Sequence, residues 1–300
     1  MLSAALIIAA VLLLSVLLVC GLERADPQPG SSSGLPAERA RRALGDCERV
    51  LALIHALQQH RGMSVAWLSG DRGFEAVLRA KRRDVGQLLQ ALEPVALREE
   101  NLAADACISR PELSLLASQW MDLCDAMENA ALRPDPEDSI TRHSLLVTRA
   151  LGWLESLGLK RVGPVLAAEQ AGLLNTWVST LPTLGEHLGQ ARAIGSGAAA
   201  RGQCTPAERL RLHFLASRAE SLMHQAVVDT PRLPAALPAI ERVVRLLGVL
   251  RSDLLAGQPP GAEHYFAEAT AAIDAVYAWM QGCEDALAPA LAARTGAGGA

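Results

Sequence analysis

Two arginines sit where helical apolar stripes call for aliphatic side chains. Val50, Ile54 and Leu57 recur at helical spacing, Val65 and Leu68 continue the row, and Arg61 fills the position between them. In LGEHLGQARAIGSGAAARG, Leu184 and Leu188 lead by four-residue steps to Arg192, with Gly195 and Ala199 completing the row. Gly62 adjoins the first arginine, and Gly189, Gly195 and Gly197 surround the second, at a cost in helix propensity. A guanidinium on a core-facing stripe needs compensation for its lost hydration. An internal acid such as Glu169 would supply it structurally. A small anion fitting a fork of N–H donors would supply it as a ligand, with the glycines making room. A lone helical arginine is ordinarily solvated, so it is the two together that point to a small-anion pocket between helices. A planar, singly charged, weakly hydrated anion such as nitrate suits it, although spacing does not fix the occupant. Arg245, in IERVVRLLGVL, lies beside the Ile240, Val244, Leu247 stripe rather than on it and is a weaker candidate. The reading requires that Arg61 and Arg192 converge, and that they are not each already matched by a carboxylate.

Other chemistry has little to work with. There is no HExxH, GxGxxG, Walker loop or GxSxG, so an enzyme ranks lowest among the function classes. His55, His60, His187, His213, His224 and His264 are scattered, with no i, i+4 pair to hold a metal. Six cysteines form no CxxC and read as core thiols, with one disulfide open in an oxidising compartment. The net charge of −4 provides no basic field for nucleic acid. No cofactor is implied.

The elements that position the arginines are helices. Hydrophobic residues reach 50% while aromatics are only 3%, a Leu/Ala/Val core that suits packed helices. Leu2 to Leu22 carries no charge and, as a helix of ~21 residues, would span about 31 Å, the thickness of a bilayer core. It lacks the basic n-region of a cleaved signal peptide. Val19 is too bulky for a lipoprotein cleavage box before Cys20. Residues 1–23 therefore read as a single-pass signal-anchor in a bacterial inner membrane. Arg24, Arg39, Arg41 and Arg42 mildly favour a cytoplasmic domain over a periplasmic one. Residues 24–37 form a Pro/Gly/Ser linker and 289–300 an Ala/Gly-rich disordered tail.

Between them, 38–288 holds eight amphipathic patterns. The first runs from about Ala37 to Leu68; the second follows Asp71 until Pro94. The third opens at the capping box Ser109-Arg110-Pro111-Glu112, and the fourth runs from Asp135-Pro136 to near Gly158. The fifth starts at Pro164 and is kinked or split at Pro182 before Arg201-Gly202. The sixth opens at the capping box Thr205-Pro206-Ala207-Glu208, the seventh spans Pro238 to Leu255, and the eighth Ala262 to Leu287.

Three segments in order carry a family resemblance. LALIHALQQHRGMSVAWLSGDRGFEAVLRAKRRDVGQLL resembles the opening of the nitrate- and nitrite-sensing (NIT) domain, with its V-H-x-L-Q-x-E-R-G-x-S pattern. EHLGQARAIGSGAAARGQCTPAERLRL resembles its middle signature, and AEHYFAEATAAIDAV its closing helix. The resemblance covers about residues 45 to 280. It implies an all-α domain of two packed four-helix bundles that binds nitrate or nitrite at their interface through arginines. It places Arg61 on the R-G position, Arg192 on Q-x-R-A, and Arg245 on a late-helix arginine for which Arg242 competes. Arg201, in the A-R-G element, reads as a helix-end cap. His60 departs from the pattern, replacing the usual glutamate and altering what orients Arg61. Family members join the sensor to an output module, and none is read here. A separate signalling protein is therefore the expected partner, with a homodimer a further reading. The alternative is a helical scaffold that keeps the fold without the ligand.

Overall fold

The computed structural model describes residues 36–102, 105–230 and 232–296. The expected membrane anchor, residues 1–23, and nearly all of the expected linker lie outside them. Among the described residues no helix is long and apolar enough to cross a membrane.

Eight helices and no strand are present among these residues. They are α1 (Pro36–Leu68), α2 (Glu75–Glu100), α3 (Arg110–Glu128), α4 (Pro136–Leu157), α5, α6 (Pro206–Asp229), α7 (Ala236–Val249) and α8 (Ala262–Gly296). α5 begins as Ala171–Asn175, widens into a π-type turn at Thr176–Thr180 and continues as Leu181–Arg201.

The caps fall where side chains can satisfy the first free N–H groups. Ser109 accepts from the Glu112 N–H and Glu112 returns the bond, and Thr205 and Glu208 do the same at α6. Asp135 caps α4. Gly202 ends α5 in the left-handed region at φ 64°, where a Cβ would be strained.

The prolines depart from expectation. Pro94 lies inside α2 and Pro289 inside α8, which continues to Gly296. A helix tolerates a missing N–H when packing on both sides outweighs it. Pro182 does not split α5. The turn before it bonds at i→i+5, the Leu181 N–H reaching the Thr176 carbonyl, and this widened turn accommodates the proline ring. Pro164 opens no helix: it sits in a short 3-10 turn, Gly163–Val165, and α5 starts at Ala171.

Packing follows chain order. α1 lies on α2, α2 on α3, α3 on α4, and α4 closes back on α1; α5 to α8 form a second ring in the same way. α1 and α4 pack on α5, and α1 also packs on α8. One continuous apolar core joins the two rings, from Leu53, Leu57 and Leu154 to Leu188, Ile273 and Val276. The candidate arginines sit in this seam.

Candidate functional site

Arg61 is fully buried on α1 and Arg192 is 5% exposed on α5. They converge, and each passes over a glycine beside the other. A Cβ on Gly189 would lie 2.6 Å from Arg61 Nη2, and one on Gly62 would lie 3.2 Å from Arg192 Nη2. The glycine-relieved neighbourhoods therefore admit each other's guanidinium. Gly195 admits Tyr265, whose ring would stand 2.3 Å from an added Cβ and whose hydroxyl donates to the Ala191 carbonyl at 2.8 Å.

Their electrostatic situations differ. Arg61 is already matched. Its Nη1 donates to Glu186 Oε1 at 2.6 Å and to Ser144 Oγ at 2.8 Å, and its Nη2 donates to Glu186 Oε2 at 3.0 Å. Glu186 also accepts from Gln190 Nε2 at 2.8 Å and Gln58 Nε2 at 3.1 Å, so four N–H groups hold one buried carboxylate. The acid considered from sequence, Glu169, is not the partner.

Arg192 has no such match. Nη1 donates to Thr270 Oγ1 and Nη2 to the Gln58 carbonyl, both at 3.2 Å, and Nε is buried without an acceptor. Two of its five N–H donors are used, and no carboxylate pairs with it. Phe266 offers its ring face at 5.3 Å. Asp274 on α8 attracts it through space without an ion pair, and burial raises that carboxyl above its usual range. Burial, reinforced by the Arg61 charge, pushes Arg192 down to about 10. It remains a cation at neutral pH, carrying a penalty of roughly 3 kcal/mol that a nearby anion would relieve.

Other donors and acceptors border the pair. Gln58 contacts both systems, and its Oε1 accepts from the Tyr277 hydroxyl at 3.0 Å. His55 packs edge-on against Tyr277, with ring centroids 4.1 Å apart and its buried Nδ1 unpartnered. Burial and the Arg192 charge push it down to about 3, so it faces this region as a neutral ring.

The remaining candidates lie elsewhere. Arg245 and Arg242 are exposed on α7 and do not reach the pair. The buried face of that helix is Ala239, Val243, Leu246 and Leu247, one residue off the stripe read from sequence, so both arginines rotate outward. Arg201 is exposed at the end of α5 and pairs with Glu208. His60 is buried but turns to α4. His143 Nδ1 must donate to the Ser139 carbonyl at 2.7 Å, which leaves its Nε2 to accept the His60 Nδ1–H at 2.8 Å. His60 also lines a cavity of about 410 Å³ with Trp67, Arg79, Arg82, Met127 and Arg133, and neither Arg61 nor Arg192 borders it.

Sequence reasoning missed Glu186, Gln58, Ser144, Thr270, Tyr277 and His143. For Glu186 a signal existed: it is the acid on the Gly/Ala-rich segment that carries Arg192. Among the described residues no cluster of three His, Cys, Asp or Glu could hold a metal, and the five cysteines there are free and buried.

An all-helical double ring thus holds a buried arginine pair in its seam, one member matched by a carboxylate and the other not. A family model described as nitrate and nitrite sensing matches residues 52–290, and the chain belongs to that family. The structure of the NasR transcription antiterminator is similar, with a TM-score of 0.63 at 22% identity over 86% of this chain and 71% of that one. That likeness supports the fold. No curated protein shows significant similarity.

Proposed function

We propose that this chain senses nitrate or nitrite by binding the anion at Arg192 beside Arg61, where α1, α5 and α8 meet. The observation that carries the reading is Arg192: a buried cation with an orphaned Nε and no carboxylate, within a family that senses such anions. A guanidinium offers paired N–H groups to planar oxyanions, and a singly charged, weakly hydrated anion loses little on entering an apolar seam. Arg61, Gln58 and Thr270 complete the surroundings. Arg242, Arg245 and Arg201 are left out of the site by their exposure. The chain acts as a receptor and not as an enzyme.

Binding at a junction of both rings would favour one setting of α1 against α5 and α8. A ligand moves such an equilibrium only by its differential affinity for the two settings. A micromolar site has about 8 kcal/mol of standard binding free energy to draw on. The uncharged stretch Leu2–Leu22 supports a retained membrane anchor ahead of the linker, and a separate signalling protein would read the change.

Calorimetric titration of the full chain in detergent micelles with nitrate, nitrite, chloride and sulfate tests this. Heat and thermal stabilisation with nitrate or nitrite, and little with chloride or sulfate, is the expected result. The closed Arg61–Glu186 pair favours a second reading, a scaffold that keeps the fold without the ligand. A flat titration of folded protein with all four anions would establish that one.

A further inference from the structure

We infer that Glu186 is an internal competitor that sets the anion affinity of this site: its carboxylate occupies the place of the anion on Arg61 and must be displaced for the anion to take full hold. The inference rests on the anion-binding reading above. It starts from shape. A carboxylate and a nitrate are both planar and singly charged, and both present two oxygens to a guanidinium fork. Glu186 does so at 2.6 and 3.0 Å. Its Cδ–Cγ bond stands where nitrate would carry a third oxygen.

The donors gathered on Glu186 come from two helices. Arg61 and Gln58 are on α1, Gln190 is on α5, and Tyr277 of α8 steadies Gln58. Withdrawal of the Glu186 side chain would leave these N–H groups facing one another around a vacated two-oxygen site. Gln58 also receives the Arg192 Nη2 donor on its backbone carbonyl, so the same residue links that site to the unmatched guanidinium.

Competition with an internal carboxylate sets the threshold, and the bonds that form set the selectivity. The incoming ion must replace two parallel charge-assisted bonds as well as the charge. A planar monoanion with two or more oxygens can. A spherical halide supplies one point of contact, and a dianion carries a larger desolvation cost into the same seam. The ligand class is thus planar monovalent oxyanions, nitrate and nitrite among them. Every ion must break the same Arg61–Glu186 bonds, so discrimination against chloride comes from the bonds that form.

The test compares wild type with Glu186→Gln, as full chains in detergent, by calorimetric titration with sodium nitrate and sodium chloride. Melting curves report folding. Glutamine keeps the shape and removes the competing charge. Nitrate affinity is expected to rise at least tenfold, and chloride affinity by a similar factor, because the same competing carboxylate is removed for both ions. A purely structural ion pair would raise neither. Should Glu186→Gln fold poorly, Glu186→Asp shortens the side chain and draws the carboxylate back from the Arg61 fork while keeping the other donors. It is expected to raise nitrate affinity severalfold. Nitrate binding to wild type, with equal or weaker binding in the folded variant, overturns the role of Glu186 and leaves the sensing function standing. Absence of nitrate binding in both folded proteins overturns the sensing function itself.

Discussion

At the scale of single residues, the two arginines have the same chemistry and opposite energetics. Arg61 and Glu186 form a buried, bidentate pair, so removing one partner strands the other as an uncompensated charge. Such losses typically cost about 3–5 kcal/mol. Arg192 has nothing comparable to lose, because its burial already works against its charge. Replacing it with an apolar side chain of similar length relieves that penalty. Arg192→Met is therefore expected to unfold at a higher temperature than wild type without ligand, by about 1–3 kcal/mol of stability, while losing nitrate-induced stabilisation. Arg61→Met is expected to be destabilised. Melting curves of both variants, with and without nitrate, check the pair, and an Arg192→Met protein no more stable than wild type would show that Arg192 is matched after all. How much of this was legible in the sequence follows from the same contrast. An arginine on an apolar stripe is a local anomaly, and both were visible. The carboxylate that answers Arg61 lies 125 residues away, and only its place on the Gly/Ala-rich segment of Arg192 hinted at which acid reaches it.

At the scale of elements, the seam between α1 and α4 is zipped by neutral imidazoles. His60 donates to His143, Ser64 lies 3.1 Å from His60, and Trp120 packs edge-on against His60. Burial pushes His143 down to about 3. His60 is likewise held well below its usual range, by burial first, then by its coupling to the His143 ring and by the Lys81 and Arg82 charges. His55, on the same helix beside Arg192, is also down to about 3. The unfolded chain takes up protons at these rings near the ordinary value of 6.5 and the folded chain does not. Their contribution is thus present above pH 6.5 and is lost as pH falls below it. Each ring costs about 1.4 kcal/mol per pH unit in that range, so the three together should lower stability by about 4 kcal/mol between pH 7.5 and 5.5. Denaturant titrations at the two pH values check this, and His143→Gln should shrink the loss by about a third; an undiminished loss would mean the acid sensitivity lies in other groups. Helix existence was readable from the apolar periodicity, and at α1, α3, α4 and α6 the start also carries a capping side chain or a proline that acts within one turn. Helix rotation was less so. On α7 Val244 is exposed and Val243 buried, since adjacent branched residues leave the choice of face to tertiary packing, and that choice turned Arg242 and Arg245 outward.

At the scale of the whole molecule, the arginine seam is where the first four helices meet the last four. A change there is geometrically able to reset one ring against the other. The anion would exchange a direct α1–α5 link, Arg61 to Glu186, for links that both helices make to a free ion. That loosens a spacing set by an ion pair, because Glu186 can no longer hold α5 at the length of its own side chain. The relative setting of the rings should therefore shift by on the order of 1–2 Å, the usual scale of helix displacements in switching proteins. Leu97 on α2 and Val244 on α7 are each half exposed and lie on different rings. Spin labels at Leu97→Cys and Val244→Cys would report the distance between them. The native thiols at positions 47, 107, 124, 204 and 283 are buried and pushed upward by that burial, so labelling favours the introduced pair once Cys20 is replaced by serine. The expected outcome is a distance distribution that shifts with nitrate, saturates with the calorimetric binding curve and stays put with chloride. The same labels in an Arg192→Met background should not respond. A distribution that nitrate leaves unmoved at calorimetric saturation would confine the effect of the anion to the seam, and the signal would then have to leave through α1 alone.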